Sequence, residues 1–302
     1  MFDKLAAKVL IVGCGDLGGA VARQLAHTGI PTVGVRRSAG NIDGVTIIQA
    51  DVTQPASLQA LQLIQPEVLI YCVAANGQTD EQYKAHYVDG LRHVLATQSD
   101  NPELKQVFFV SSSRVYGQNT EALLDESVVA VPTDFGGERL LEAEALLKTV
   151  SCNATRPFNI SILRLSGIYG PGRLRMINLA KSPEQWPAKN SWSNRIHRDD
   201  AAAFMVYLVQ QVLAGNSVQA CYIVTDSRPA TQYEVLNWIA HNLNTALPVN
   251  TQRLAPIEGG KRLSNQAMLA TGFTLQFPDF QAGYQALLSD ISSAKTPLLH
   301  GG

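Results

Sequence analysis

The feature that most constrains the fold of this chain is a glycine-rich turn close to residue 13. The apolar run Val9–Val12 leads directly into Gly13-Cys14-Gly15-Asp16-Leu17-Gly18, and an amphipathic segment follows. This order predicts a strand, a tight turn and a helix. In such a turn the first glycine permits the bend, the second lets a pyrophosphate approach the backbone at the positive helix N-terminus, and the third allows close helix packing. The candidate cofactor-binding residues here are Gly13, Gly15, Asp16, Leu17 and Gly18.

A second apolar run, 30–35, follows at the interval expected for the next strand and ends at Arg36 and Arg37. Proteins that bind NAD usually have Asp or Glu at this position, where the carboxylate holds the ribose 2′-hydroxyl. Guanidinium groups suit a 2′-phosphate instead. The sequence therefore predicts NADP as the cofactor, with NAD as the alternative. A glycine turn without a cofactor, followed by two solvated arginines, is the less favoured alternative.

Composition excludes several classes of function. The 302 residues are 46% hydrophobic, enough to bury a large core, and 24 basic against 25 acidic side chains give a net charge of −1. This balance gives no electrostatic reason to expect nucleic acid or an anionic membrane as a partner. No apolar run is long enough to cross a bilayer. The four cysteines are far apart, so neither a metal site nor a disulfide framework is indicated, and a cytoplasmic location is expected.

Strand and helix patterns alternate along the chain, which predicts an α/β fold with a doubly wound parallel sheet. Further strands are predicted at 46–49, 68–73, 106–110, 160–165 and 221–225, and helices at 55–64, 80–98, 134–149, 199–213, 232–244 and near 280–291. The run 105–110 is apolar without alternation, so we expect it near the centre of the sheet. A Rossmann-type dinucleotide-binding domain is predicted over 1–165. A smaller substrate-binding lobe is predicted over 166–302, with returning Rossmann elements near 196–225 and a loose tail from Ser292.

A serine-rich segment, Ser111-Ser112-Ser113-Arg114-Val115-Tyr116-Gly117, follows the strand predicted at 106–110. Ligands of doubly wound sheets lie outside the carboxyl ends of the strands, which is where these hydroxyls fall. At this point the chain resembles the extended short-chain dehydrogenase/reductase superfamily, and within it the NAD-dependent epimerase/dehydratase family. The resemblance covers nearly the whole chain, from the glycine turn through Ala50-Asp51-Val52, Val73-Ala74-Ala75, Val88-Asp89-Gly90, the serine segment, Arg164-x-x-Gly167-Ile168-Tyr169-Gly170-Pro171-Gly172 and Ile196-His197-Arg198-Asp199-Asp200.

The resemblance implies roles for individual residues. Those that would hold the adenine are Asp51 and Val52, and those that would pass beneath the cofactor are Val73, Ala74 and Ala75. Ser112 matches the hydroxyl that bonds to the reacting oxygen; the less favoured alternative is that Ser111, Ser112 and Ser113 merely cap a strand end. Tyr116 is a candidate acid, base or orienting group, or else a packed aromatic side chain whose hydroxyl is satisfied.

The chain departs from the family at its catalytic pair. Members use Tyr-x-x-x-Lys on the helix after the serine segment, because this spacing puts both side chains on one helix face, where the lysine assists proton transfer by the tyrosine. Here Phe135 and Arg139 stand at those positions, and Tyr-x-x-x-Lys occurs nowhere else in the chain. Phenylalanine has no hydroxyl, and arginine stays protonated, although its charge still suits the cofactor ribose. The chain is thus similar to the atypical members of the superfamily.

Polar side chains beyond the serine segment are the candidate substrate contacts. Together with Ser113 they are Arg164, Ser166, Arg173, Arg195 and His197. Convergent arginines suit a phosphate or diphosphate, which agrees with the nucleotide sugars that the resemblance implies as substrates. Each arginine taken singly is more often a surface group or the partner of a nearby acid. Ser166 stands where the family usually has asparagine.

These observations predict an NADP-binding oxidoreductase, epimerase or dehydratase that acts on a small molecule, a nucleotide sugar or a related metabolite. The alternative is a non-catalytic regulatory protein that senses NADP(H). A homodimer is also predicted, because the apolar residues of the helices 80–98 and 134–149 exceed one narrow core stripe, unless they simply cover the sheet. These residues are Tyr83, Val88, Leu91, Val94, Leu95, Leu140, Leu141, Leu146 and Leu147.

Overall fold

The computed structural model describes residues 7–245 and 256–295. The described residues form the strands β1 (Val9–Val12), β2 (Thr32–Arg36), β3 (Thr46–Gln49), β4 (Val68–Tyr71), β5 (Gln106–Ser112), β6 (Leu123–Leu124), β7 (Asn159–Leu165), β8 (Gly167–Tyr169), β9 (Trp192–Ser193), β10 (Arg195–His197), β11 (Cys221–Val224), β12 (Ala230–Thr231) and β13 (Arg262–Leu263). They also form the helices α1 (Asp16–His27), α2 (Asp80–Tyr83), α3 (Gly90–Thr97), α4 (Phe135–Asn153), α5 (Arg175–Ala180), α6 (Arg198–Leu213), α7 (Gln232–Asn242), α8 (Gln266–Leu269) and α9 (Phe280–Lys295).

A seven-stranded parallel sheet organises the first of two compact units. Its strands lie in the order β11, β7, β5, β4, β1, β2, β3, and each neighbouring pair is parallel. The chain starts in the middle with β1, moves outward through β2 and β3, and then builds the other half from β4, so that Val12 pairs with Tyr71 where the order reverses. This arrangement confirms the predicted α/β doubly wound fold, which binds ligands at such a reversal.

The inner strands are apolar on both faces, which is why their sequences do not alternate. All four residues of β1 and of β4 are buried. The predicted central strand, β5, is an interior strand between β4 and β7. It is two residues longer than predicted, because Ser111 and Ser112 continue the pairing opposite Arg164 and Leu165 of β7.

The helix predicted at 55–64 is a 3₁₀ helix, Pro55–Leu63, instead of an α-helix. Its buried side chains are Leu58 and Leu61, and Ile64 is buried directly after it. A spacing of three residues places these side chains on one side of a helix with three residues per turn. An α-helix, with 3.6 residues per turn, would distribute the same side chains around the helix axis.

The helix predicted at 80–98 consists of α2, a π-helical segment (Lys84–Asp89) and α3. The N–H of Gly90 bonds to the carbonyl of Ala85, five residues earlier, and the Tyr71 hydroxyl donates to the carbonyl of His86. A Cβ atom at Gly90 would lie 2.6 Å from Tyr71 Oη, so this glycine allows the helix to pack against β4. Within this π-helical segment, the carbonyl of His86 therefore accepts a hydrogen bond from a tyrosine of the sheet.

The second unit comprises 119–125, 166–200 and the described residues from 225 onward, whereas 201–224 belongs to the first unit. Residues 119–125 lie inside the range that the sequence assigned to the dinucleotide-binding domain. They belong to the second unit because β6 pairs with β13 and Glu121 accepts a hydrogen bond from Trp192. The core of this unit includes Tyr169, Ile177, Trp186, Leu236, Ile239, Phe280 and Tyr284.

The predicted loose tail from Ser292 is wrong for its first residues, because α9 continues to Lys295. The remainder, 296–302, lies outside the described residues. Within the described ranges, no helix is both long and apolar enough to span a membrane. No group of three or more His, Cys, Asp or Glu side chains suited to a metal ion occurs among the residues that the structure describes.

The apolar residues behind the predicted homodimer are mostly buried within the chain. Seven of the nine are buried, and only Leu141 and Leu146 are partly exposed. The surplus of apolar surface that motivated this prediction is therefore small, and these side chains mainly cover the sheet.

Candidate functional site

The structure gives a different environment to each of the three glycines of the turn. Gly13 has φ of +97°, and a Cβ atom there would lie 2.4 Å from the carbonyl oxygen of Cys72. A Cβ atom at Gly18 would lie 2.3 Å from the carbonyl oxygen of Gly13. At Gly15 a Cβ atom would meet no atom within 4 Å. Packing thus requires glycine at two of the positions, and at the third the backbone faces open space.

Gly15 is the N-cap of α1, and no side chain caps this helix end. Asp16 and Leu17 follow as its first residues. The first N–H groups of a helix have no acceptor within the helix, and the helix dipole makes this end positive. The turn also lies against Cys72 at the end of β4, which is the strand-order reversal. An anionic group of a ligand is favoured at this place.

Arg36 is the last residue of β2. Its Nη2 donates to Ser38 Oγ at 3.2 Å, while its buried Nε has no hydrogen-bond partner among the described residues. The neighbouring Arg37 is exposed. Burial raises the pKa of the Cys14 thiol to about 11, and the charges of Arg36 and Arg23 act against this rise. Sequence reasoning missed Arg23, whose only signal is its position on α1, the helix that follows the glycine turn.

The candidate adenine-binding residues follow β3. Asp51 Oδ1 accepts hydrogen bonds from the N–H and the hydroxyl of Thr53, at 2.9 and 2.8 Å. Burial opposes ionisation of Asp51, but these bonds and the charge of Arg37 hold its pKa below the usual value. The Val52 carbonyl is bonded to His93 Nδ1 at 2.9 Å.

The structure brings the loop after β4 next to the glycine turn. A Cβ atom at Gly13 would lie 2.7 Å from the N atom of Val73. Val73 and Ala75 are partly exposed, and Ala74 is exposed. These three residues therefore line the loop at the strand-order reversal, which is where a cofactor would pass.

The predicted catalytic hydroxyls have different environments. Ser112 Oγ accepts from the N–H of Arg114 at 3.1 Å and so caps a 3₁₀ turn, while Ser113 is partly exposed. Tyr116 is fully buried, and its Oη accepts from Arg164 Nη1 at 2.7 Å. Burial raises the pKa of Tyr116, which disfavours a role in proton transfer. For Tyr116 the geometry favours the packed aromatic that the sequence left open.

Arg139 is fully engaged by acidic side chains. Its Nε and Nη2 donate to the two carboxylate oxygens of Asp80 at 2.7 and 2.8 Å, and its Nη1 donates to Glu142 at 2.6 Å. The bonds from Asp80 and Glu142 raise the pKa of Arg139. A contact between Arg139 and a cofactor ribose would therefore replace or share bonds that the side chain already makes.

Phe135 is the first residue of α4, and Arg114 packs on it. The guanidinium carbon of Arg114 lies 5.2 Å from the ring centroid of Phe135 and 5.2 Å from that of Tyr83. Arg114 Nε donates to both carboxylate oxygens of Asp134, the N-cap of α4. Sequence reasoning assigned no role to Arg114, although this residue lies within the serine segment.

Candidate substrate residues are divided between the units. Arg164 belongs to the first unit, where it is buried against Glu144. In the second unit, Arg195 and His197 share β10, Arg173 is exposed and Ser166 Oγ is buried without a hydrogen-bond partner. The His197 ring lies 5.2 Å from that of Tyr169 and 4.1 Å from that of Phe277, and burial lowers its pKa. Arg195 donates from Nη2 to Ser193 Oγ at 3.1 Å, and its Nε is buried without a partner.

The sheet order and the glycine turn at the strand-order reversal define an α/β protein of the Rossmann type. Residues 9–221 match the model of the family described as NAD dependent epimerase/dehydratase. The chain belongs to this family, as its sequence motifs predicted.

Solved structures share the fold over nearly the full chain. A Methylobacillus flagellatus protein, provisionally assigned as an NAD-dependent epimerase/dehydratase, is 46% identical with a TM-score of 0.84, and the match covers 95% of this chain and 99% of that one. UDP-glucose 4-epimerase from Thermus thermophilus, in complex with NAD, is 17% identical with a TM-score of 0.75, covering 95% and 99%. WbmG from Bordetella bronchiseptica, in complex with NAD and UDP, is 16% identical with a TM-score of 0.75, covering 95% and 95%. Comparison with curated protein sequences gives no match.

Proposed function

We propose that the protein binds NADP(H) and acts as an oxidoreductase, epimerase or dehydratase on a nucleotide sugar or a related metabolite. The observation that carries this proposal is the open space beside Gly15 at the start of α1. Contact with neighbouring atoms does not require a glycine there, although the backbone angles of Gly15, φ −86° and ψ −137°, favour one. Close approach of a pyrophosphate to the backbone requires the same residue type. The bound dinucleotide would supply hydride transfer.

The residues of the first unit fit such a cofactor. The turn from Gly13 to Gly18 would hold the pyrophosphate, and Asp51 and Val52 would hold the adenine. Arg36 ends β2, and its guanidinium charge suits the 2′-phosphate of NADP. A charge-assisted hydrogen bond contributes about 1.5–3 kcal/mol, or roughly tenfold or more in affinity. Because the two epimerase-like structures above hold NAD, the arginines are the specific reason to prefer NADP here.

A nucleotide-sugar substrate is supported by the chemistry of the second unit and by those relatives. Arg173 is exposed and Arg195 is partly exposed, so their guanidinium groups could bond to a diphosphate. The Thermus protein is a UDP-glucose epimerase, and WbmG was solved with UDP. Arg164 contributes less to this proposal, because Glu144 and Tyr116 already occupy its guanidinium.

A regulatory NADP(H) sensor is the second candidate, and the altered catalytic pair favours it. Phe135 offers no hydroxyl, and Arg139 is engaged by Asp80 and Glu142. A sensor needs only a cofactor site whose affinity differs between the oxidised and the reduced dinucleotide.

The two candidates are separated by turnover. Nucleotide sugars and simple carbonyl compounds are incubated with NADP⁺ or NADPH, and the cofactor absorbance and the sugar products are both followed. Oxidation, reduction or epimerisation of any compound supports the enzyme. Different affinities for NADP⁺ and NADPH without a transformed compound support the sensor. Absence of dinucleotide binding contradicts both candidates.

Two further proposals depend on separate measurements. The homodimer stays a prediction, and the apolar residues that still support it are the partly exposed Leu141 and Leu146. Light scattering at micromolar concentration decides between dimer and monomer. A cytoplasmic location likewise stays a prediction, based on cysteines that form no disulfide framework.

A further inference from the structure

A tyrosine ring lies against the ring of Phe135, which itself carries no hydroxyl. The rings of Phe135 and Tyr83 meet edge to face, with centroids 5.4 Å apart and planes at 89°. Tyr83 belongs to α2, and its side chain therefore reaches the N-terminus of α4 from the neighbouring helix. A phenol is thus present next to position 135, although it comes from another element of the chain.

The oxygen of this phenol is held by a cation. Arg114 Nη1 donates to Tyr83 Oη at 2.8 Å, and Tyr83 Oη donates to Gln78 Oε1 at 3.1 Å. Arg114 is fixed in turn by Asp134, whose oxygens lie 2.9 and 3.0 Å from its Nε. A fixed guanidinium beside the oxygen stabilises negative charge that develops there when the proton leaves.

The acceptor of the Tyr83 proton is replaceable. Gln78 is exposed, and it follows β4 in the loop that also contains Val73 and Ala75. Gln78 Oε1 also accepts from Arg114 Nη1 at 3.1 Å, so a substrate carbonyl oxygen that took its place would be bonded by both Tyr83 and Arg114. Tyr83 itself is 7% exposed, so its ring is held by packing while its hydroxyl bonds to an exposed partner.

The same cluster reaches the loop expected beneath the cofactor. The ring of Tyr87 lies 5.2 Å from that of Tyr83, and the Tyr87 hydroxyl accepts a hydrogen bond from the N–H of Ala75. Ala75 follows β4, which together with β1 forms the strand-order reversal. The phenol of Tyr83 is therefore next to the loop after β4, through its ring contact with Tyr87 and its hydrogen bond to Gln78.

The other tyrosines of this region suit proton transfer less well. Burial raises the pKa of Tyr87 to about 12, and its oxygen already bonds to Ala75. Tyr116 is fully buried and bonded to Arg164. Of these three tyrosines, Tyr83 alone combines an adjacent cation with an exposed hydrogen-bond acceptor.

We propose that the Tyr83 hydroxyl transfers the proton that a tyrosine at position 135 would transfer, and that Arg114 positions it. The inference rests on the proposed function. In the reducing direction, a bound reduced dinucleotide would supply hydride to the substrate carbonyl carbon and would itself be oxidised. The carbonyl oxygen takes the proton of Tyr83, so that one C–H and one O–H bond form as the C=O π bond breaks. The phenolate left on Tyr83 is compensated by Arg114 and regains a proton from solvent.

The location of Tyr83 can be tested without a known substrate. The nine tyrosines are replaced by 3-fluorotyrosine, and the ¹⁹F resonance of Tyr83 is assigned by its loss in Tyr83→Phe. Because the nicotinamide ring carries positive charge only when it is oxidised, this resonance is expected to differ between the NADP⁺ and NADPH complexes. Tyr222 on β11, at the edge of the sheet, provides a control resonance that should not differ.

Calorimetry on the same samples separates the two levels of the proposal. Binding of both dinucleotides with an unchanged Tyr83 resonance overturns the inference and leaves the proposed function intact. Absence of binding overturns the proposed function, and the inference falls with it.

Once a substrate is found, variants test the proton transfer itself. Tyr83→Phe keeps the ring and is expected to lower kcat by about a hundredfold or more, with dinucleotide affinity unchanged. Tyr222→Phe, which also removes one buried hydroxyl, serves as the matched control. The double variant Tyr83→Phe/Phe135→Tyr is expected to recover part of the rate, since it returns a phenol to the same ring contact. Turnover of Tyr83→Phe within about twofold of the wild type overturns the proposal.

Discussion

Glu144 and Arg164 form a buried ion pair with two hydrogen bonds. Glu144 Oε2 lies 2.6 Å from Arg164 Nη2, and Glu144 Oε1 lies 3.1 Å from Arg164 Nε. Ser111 Oγ donates to the same Oε1 at 2.7 Å. The pair therefore connects α4 to β5 and β7, and it fixes the strand end from which Ser112 and Arg114 extend.

Replacing Glu144 by glutamine is expected to destabilise the protein strongly. Glu144 is 2% exposed, so the variant leaves the Arg164 charge buried without its counter-ion. Breaking a buried pair in this way lowers the free energy of unfolding by about 3–5 kcal/mol. Urea denaturation measures the loss. Glu142→Gln, which breaks the solvent-exposed pair with Arg139, is the control and should give a far smaller loss. Equal losses in the two variants would contradict the structural role of Glu144.

Much of the fold could be predicted from local pattern, because strand and helix periods act over a few residues. The turn at Gly13 and the alternation of elements were enough to predict a doubly wound sheet. The 3₁₀ helix at Pro55–Leu63 and the π-helical segment at Lys84–Asp89 could not be predicted in this way. They depend on contacts with other parts of the sheet, such as the bond from Tyr71 to His86.

Glycine variants at the turn should separate ligand binding from folding. Gly15 has φ of −86° and ψ of −137°, a combination that alanine rarely adopts, although its Cβ atom would meet nothing within 4 Å. Gly15→Ala is therefore expected to lower the stability by about 1–3 kcal/mol through backbone strain and, beyond that loss, to weaken dinucleotide binding about tenfold or more. Gly18→Ala places a Cβ atom 2.3 Å from Gly13 O and should lower the stability by about 1–3 kcal/mol. Thermal unfolding and calorimetric titration measure both effects, and unaltered binding by Gly15→Ala would argue against a pyrophosphate at this position.

Asp226 should make the stability depend on pH. It is 1% exposed, its Oδ2 has no hydrogen-bond partner within the described part of the chain, and burial raises its pKa to about 8. Because the folded protein holds the proton more tightly than the unfolded chain, this residue lowers stability progressively as the pH rises from about 4 to about 8. Asp226→Asn should therefore gain stability relative to the wild type by up to about 1.4 kcal/mol per pH unit in this range, and the gain should level off above it.

Denaturation curves between pH 5 and pH 9 measure the effect of Asp226→Asn. Asp290→Asn, which removes an exposed carboxylate from α9, controls for the lost charge. A stability difference between Asp226→Asn and the wild type that stays constant over this range would show that Asp226 does not titrate as its burial implies.

The candidate site was predictable where a residue acts through its own position in a motif, as with Gly15 and Arg36. It was not predictable where function depends on distant partners. Tyr83 was interpreted only as an apolar helix residue, because its contacts with Arg114 and Phe135 join segments about 30 and 50 positions away in sequence. The sequence assigned a catalytic role to Tyr116 and a substrate-binding role to Arg164, because their positions match the family motifs. In the structure both side chains are buried and Arg164 is paired with Glu144, which is the environment of residues that stabilise a fold.

The central claim is an NADP site formed by the glycine turn and Arg36, and calorimetric titration of NADP⁺ and NAD⁺ tests it most directly. The wild type is expected to bind NADP⁺ about tenfold or more tightly than NAD⁺. Arg36→Asp should abolish this preference, because a carboxylate repels the 2′-phosphate and suits a ribose hydroxyl. Arg92→Asp, the same charge change at an exposed position on α3, should retain it. Equal wild-type affinities for the two dinucleotides, or a preference that survives Arg36→Asp, would contradict the account.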